Sequence, residues 1–118
     1  MTLERPRLFP KSLRLTQKKD FEHLRERSFK SFVSPLVVYS KDSRLGHSHA
    51  RVGFSVSKRQ GNAVRRNRLK RILRDEFRHS DHIHAKGLDL LVIAAQTVKD
   101  EQGMRSAFRK ILKDVLTK

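Results

Sequence analysis

RVGFSVSKRQGNAVRRNRLKRILRDEFR, residues 51–78, changes its period in the middle, and that change decides the fold. Over the first seven residues Val52, Phe54 and Val56 point one way and Arg51, Gly53, Ser55 and Ser57 the other. A period of two predicts a half-buried strand. The basic turn at 58–62 breaks the alternation, and Gly61 and Asn62 both tolerate unusual backbone angles. Asn62 can cap a helix starting at Ala63, because its side-chain oxygen can accept an orphan backbone N–H. Leu69, Ile72, Leu73, Glu76 and Phe77 then recur at helical spacing as one mostly apolar stripe.

The other face of this helix is basic. Asn67, Lys70, Arg71, Arg74 and Arg78 lie there, Arg68 is at its edge, and Arg65 and Arg66 occupy the first turn. Residues 51–78 hold ten Lys/Arg, Arg51 included, against Asp75 and Glu76 alone, a net +8. Cations in a first turn oppose the helix dipole, so helix stability does not explain them. A face charged only for solubility usually alternates signs, and acidic partners at i,i+4 are nearly absent here. A polyanion is the natural missing partner.

SVSKRQGNAVRRNRLKRILRDEFR resembles the signature of the protein component of bacterial ribonuclease P, whose hallmark is an Arg-Asn-Arg core in this helix, here Arg66-Asn67-Arg68 followed by Lys70 and Arg71. The match runs over about two dozen contiguous residues with strand, turn and helix in order. The resemblance implies a divided mechanism. Arg65, Arg66, Asn67, Arg68, Lys70, Arg71 and Arg74 would dock on a catalytic RNA, through phosphates and shape. A cleft between the first helix and the sheet would hold the single-stranded 5′ leader of precursor tRNA. Its residues would be Phe21, Arg25, Val37, Tyr39, Ser55 and Ser57, with Lys58 and Arg59 at the mouth. Many relatives carry a second aromatic one turn after the first; this chain has Arg25, which suggests a phosphate contact in place of stacking.

The rest of the chain fits one domain. Its 118 residues carry a net charge of +16 and 36% hydrophobic residues, clustered with clear periodicity. Residues 1–15 read as an extended basic arm with Pro6 and Pro10 discouraging helix, and residues 16–118 as a single RNA-binding domain. Thr16 can cap a short helix running to about residue 27, with Phe21 and Leu24 on one face. Residues 34–41 read as a strand, Leu36 and Val38 on one face and Val37 and Tyr39 on the other. The polar, small face with Ser55 and Ser57 leaves room for a nucleic-acid strand. Residues 42–48 are turn-like. Residues 88–95 are almost continuously apolar after Asp89, as for a strand covered on both faces and parallel to the one at 51–57. Asp100 can cap a last helix with an apolar stripe from Met104 to Leu116. The order is α-β-β(-β)-α-β-α, an α+β fold with a small mixed sheet covered by helices. Crossovers between parallel strands are right-handed in about 98% of cases; the resemblance implies a left-handed one.

No catalytic site is visible in the chain itself. It has no phosphate loop, nucleophile elbow or HExxH helix, and too few carboxylates for a two-metal cage. His79, Asp81, His82 and His84 share one loop at spacings that match no metal motif. The family pattern places phosphodiester hydrolysis and its magnesium ions on the RNA subunit, so the chain is expected to bind no cofactor or metal and to act as the assisting subunit of an endoribonuclease. With no Cys, no membrane span and no signal-peptide core, a cytoplasmic location is expected, with catalytic RNA and precursor tRNA as partners, no membrane, and no obligate protein partner. Two rivals remain at this level: a structural RNA-binding protein of ribosomal type, and a basic amphipathic helix acting on a membrane or a calmodulin-like partner.

Overall fold

The apolar residues of the last two helices and one face of every strand converge on a single core. The computed structural model describes residues 14–15, 18–43, 49–80 and 87–116. In chain order they form α1 (Lys18–Arg25), β1 (Phe29–Val33), β2 (Leu36–Asp42), β3 (Arg51–Ser55), a single 3-10 turn (Lys58–Gln60), α2 (Ala63–Arg78), β4 (Leu88–Ala94) and α3 (Glu101–Leu116). This is the α+β order read from the sequence, with a third strand before the basic helix. The four-stranded sheet has the order β1-β2-β4-β3. β1–β2 and β2–β4 pair antiparallel and β3–β4 pair parallel, as expected for strands joined through a helix.

Strand alternation puts Leu36, Val38, Val52, Leu90, Val92 and Ala94 into the core. Leu69, Ile72, Leu73 and Phe77 of α2 and Met104, Ala107, Phe108, Ile111, Leu112 and Val115 of α3 meet them there. Burying each large side chain contributes about 1.5–3 kcal/mol, while each first-turn cation costs about 0.3–1 kcal/mol against the dipole. Core packing therefore holds α2 in place despite its basic start. The expected caps form: Asn62 Oδ1 accepts from Arg65 N at 3.0 Å, and Asp100 accepts from Gln102 N at 3.2 Å and Gly103 N at 3.1 Å.

Several boundaries move. Leu15 is buried and its N–H donates to Val52 O at 3.0 Å, so the end of the presumed arm lies along β3. The first helix stops at Arg25, because Arg27 takes a φ of 53°. β3 ends at Ser55, and Ser57 instead caps the 3-10 turn by accepting from Arg59 N at 3.3 Å. Phe54 is only half-buried against the core rather than inside it. Thr16, Asp81, His82 and His84 lie outside the described residues, as does most of the 42–48 turn.

Candidate nucleic-acid interface

The face of the sheet away from the core is organised in rows. The registers place Lys41, Asp89 and Arg51 side by side across β2, β4 and β3. The next row is Lys30, Tyr39, Leu91 and Gly53, and the next Phe32, Val37, Ile93 and Ser55, each crossing all four strands.

α1 lies over the first of these rows and is held by charge. Arg51 donates from Nε and Nη2 to the two oxygens of Asp89 at 3.0 and 2.9 Å, and from Nη2 to Asp20 Oδ1 at 3.0 Å. All three are buried: Arg51 is 6% exposed, Asp20 1% and Asp89 0%. Burial opposes the charge on Arg51, but its bonds to Asp89 and Asp20 outweigh that and raise its pKa. At the other end of α1, Lys41 Nζ donates to His23 O at 3.1 Å and Glu26 O at 2.6 Å, which satisfies carbonyls at the helix C-terminus. Arg51 is therefore an internal tie and not part of the basic surface among which the sequence reading counted it.

Beyond α1 the floor is open. Leu24, Arg25, Tyr39, Ser55, Leu91 and Ile93 line a cleft of about 430 Å³. Phe21 packs its ring over Gly53, where an added Cβ would stand 3.0 Å from the ring. Leu91 and Ile93 are half-exposed, so β4 is covered fully on its core face only. The sequence-derived cleft residues Phe21, Arg25, Val37, Tyr39 and Ser55 thus share this side of the sheet. Ser57 and the exposed Lys58 and Arg59 follow β3 directly. Arg59 Nη1 donates to Ala95 O at 3.2 Å, across the end of β4. Gly61, at φ 130°, turns the chain from here into α2.

The basic helix divides its cations between fold and surface. Asn67, Arg68 and Arg71 are exposed, and Arg66, Lys70 and Arg74 are half-buried. Arg65 is different: Nε donates to Gln60 O at 2.7 Å and Nη2 to Val98 O, so its guanidinium ties α2 to the segment after β4. Arg68 makes a two-pronged pair with Glu101 at 2.6 and 2.9 Å, which raises the Arg68 pKa and lowers that of Glu101. Burial, and then the charges of Arg14, Arg71 and Arg78, lower the pKa of Arg74, although an arginine stays protonated. Such mutual repulsion among cations marks a surface suited to an anion.

Other contributors were not singled out from the sequence. Gln60 is buried, donating to Ala94 O at 3.2 Å and Gln96 O at 2.7 Å and accepting from Val98 N at 2.9 Å, which fixes the turn between cleft and helix. Asp20, Lys41 and Asp89 were equally overlooked. Among the described residues no group of three or more His, Cys, Asp or Glu could hold a metal ion, and no helix is long and apolar enough to cross a membrane.

Comparison with known proteins adds four matches. The family model described as Ribonuclease P matches residues 9–117. A Staphylococcus aureus ribonuclease P protein component is 39% identical over 94 residues, 79% of this chain and 78% of that protein. Among solved structures, a Staphylococcus aureus RNase P protein mutant with defective mRNA degradation activity superposes with a TM-score of 0.80 at 32% identity, covering 98% of each chain. The Thermotoga maritima RNase P protein gives a TM-score of 0.71 at 28% identity over 86% of this chain and 96% of that one.

Proposed function

Since this chain belongs to the ribonuclease P protein family, we propose that its two surfaces divide the work of a protein subunit assisting an RNA catalyst. The chain is a subunit of an endoribonuclease that matures the 5′ end of tRNA, and the chemistry resides on the RNA. Arg66, Asn67, Arg68, Lys70, Arg71 and Arg74 dock on that RNA, with guanidinium groups taking phosphate oxygens in pairs. Arg65 contributes whatever donors its backbone bonds leave over and chiefly holds the start of α2. Arg68 must leave or share Glu101 to meet a phosphate.

The cleft holds the 5′ leader of precursor tRNA. Tyr39 and Phe21 offer aromatic faces, Arg25, Lys58 and Arg59 supply positive charge, and Val37, Ser55 and Ser57 leave room for the strand. Bringing this charge beside the leader reduces repulsion between substrate and catalytic RNA, both polyanions, and so lowers the demand for magnesium, which the RNA holds. The observation that carries the reading is the half-exposed patch of Tyr39, Leu91 and Ile93, which spans two rows and is kept open beside a helix tied down by ions. A protein that needed this face only for stability would bury it.

Cleavage of a precursor tRNA at low magnesium, by protein alone, RNA alone and both together, tests this. Only the pair should cut at the leader junction. Arg68→Ala should then weaken assembly with the RNA, and Tyr39→Ala should weaken leader binding with assembly intact. Cutting by the protein alone would overturn the division of labour.

A further inference from the structure

Phe32 is a large apolar side chain that the fold leaves in water. It is 53% exposed, and among the described residues Val64 is the one other large hydrophobic so exposed. A single exposed apolar residue is ordinary on a protein surface; what sets Phe32 apart is its row. It stands directly opposite Val37 on β2, and the same row continues through Ile93 to Ser55. Its neighbours on β1, Ser31 and Val33, face the other way: Ser31 is buried and donates to Asp114 at 3.3 Å, and Val33 packs against the core. Phe32 is therefore turned toward the cleft side by the pleat itself.

Lys30 accompanies it. Two residues earlier on the same face, its Nζ lies 5.8 Å from the centre of the Tyr39 ring. The face of the sheet that floors the cleft thus does not end at Tyr39. It runs on to the outermost strand, where a cation and a free aromatic face stand together. Three inter-strand steps of about 4.8 Å make the row about 14 Å long, the rise of about four stacked bases at 3.4 Å each. Aromatic side chains beside a cationic track are what single-stranded nucleic acid needs, because every base has a π-face and every linkage a negative charge.

We infer that Phe32, with Lys30, forms a further subsite of the leader cleft, in which Phe32 stacks a base of single-stranded RNA lying past Tyr39 and Lys30 faces its phosphate. The inference rests on the leader-cleft reading above and extends it to β1. The subsite is filled only by a leader long enough to cross the sheet, so it confers a preference by leader length and tolerates any base.

The test is equilibrium binding of precursor tRNAs to the assembled protein–RNA holoenzyme, with a single-nucleotide leader and with a leader long enough to span the row. Phe32→Ala should weaken binding of the long leader by about fivefold to a hundredfold, the range for loss of one stacked base, and leave the short one unchanged. Phe32→Leu, which keeps apolar bulk without a π-face, should behave like the alanine variant. Phe32→Trp should retain affinity, and as the chain has no other Trp, its fluorescence should be quenched by the long leader only. If Tyr39→Ala weakens long-leader binding and Phe32→Ala does not, the subsite is wrong and the cleft reading stands. If neither does, both fall. If Phe32→Ala changes only the self-association of the protein, β1 is an interface between copies, and the inference is overturned.

Discussion

Replacing Arg51 by Met should be among the most damaging single changes in this protein, although the charge lost is buried and no part of the basic surface. Arg51 sits between Asp89 and Asp20 with three hydrogen bonds of 2.9–3.0 Å, and all three residues are buried. Arg51→Met leaves both carboxylates inside without the guanidinium between them. Breaking a buried pair in this way costs about 3–5 kcal/mol, about a fifth or more of the 5–15 kcal/mol that holds a typical domain together. At about 4 °C per kcal/mol for a chain of this size, the melting temperature should fall by roughly 12–20 °C.

Asp20→Asn is the informative contrast. It keeps an oxygen for Arg51, and the two-pronged Arg51–Asp89 pair survives, so its cost should be about 0.5–1.5 kcal/mol, that of one ordinary hydrogen bond. Thermal and urea unfolding followed by circular dichroism measure both. Replacing all three residues with apolar ones of similar volume should recover much of the loss, because buried ion clusters are seldom more stabilising than well-packed hydrocarbon. Leader binding should not recover with it if the cluster also sets the height of α1 above the floor. Equal, small costs for Arg51→Met and Asp20→Asn would refute the reasoning, since the buried carboxylates would then have found other compensation.

Two further outcomes follow from the charges. If the basic helix and turn neutralise six to ten phosphates, affinity for the catalytic RNA should fall about 10³- to 10⁵-fold between 50 and 200 mM salt. Arg68→Ala should flatten that slope by about one, and a salt-independent affinity would contradict the docking surface. In the α2–α3 contact, burial pushes the Glu76 carboxyl up, but bonds from Arg109 and Arg105 at 2.8–2.9 Å outweigh it and leave its pKa lowered. The unfolded chain therefore binds the proton first, so this contribution is present above the ordinary carboxylate pKa of about 4.3 and is lost as pH falls through the lower folded value. Glu76→Gln should show a shallower loss of stability on acidification than the parent; identical slopes would rule out this pair as its source.

What was legible in the sequence was what repeats. Leu69, Ile72, Leu73 and Phe77, like Met104 to Val115, announce their buried faces through helical spacing, and the Asn62 and Asp100 caps are local chemistry. The cleft residues were placed by resemblance, and the registers put Val37, Tyr39 and Ser55 of them on one face of the sheet. The tie between α1 and the sheet was not legible, because Asp20, Arg51 and Asp89 are far apart in the chain, and each alone reads as an ordinary surface charge. Arg65 misled for a related reason: in a helix this rich in arginine, nothing local separates a guanidinium that reaches backbone carbonyls from one that faces solvent. β1 escaped as a separate strand because Phe29 and Val33 face the core while Phe32, between them, faces water, so FKSFV lacks a clean alternation.

That ionic tie explains how the cleft stays open. A helix packed on a sheet by an apolar stripe settles onto the floor, since every Å² removed from water is favourable. α1 buries only Asp20 and Leu24 among its eight residues. It is pinned at both ends by directional contacts: Asp20 on the Arg51–Asp89 pair, and the His23 and Glu26 carbonyls on Lys41. Lys41, Asp89 and Arg51 form one row, so the ionic anchors of α1 lie along a single line across the sheet, and of its apolar side chains only Phe21, over Gly53, and Leu24 reach toward the next. The rows through Tyr39 and Val37 are left half-covered. Hydrocarbon in place of the tie would give a protein of similar stability with a narrower cleft, which is why the all-apolar variant should regain melting temperature without regaining leader affinity.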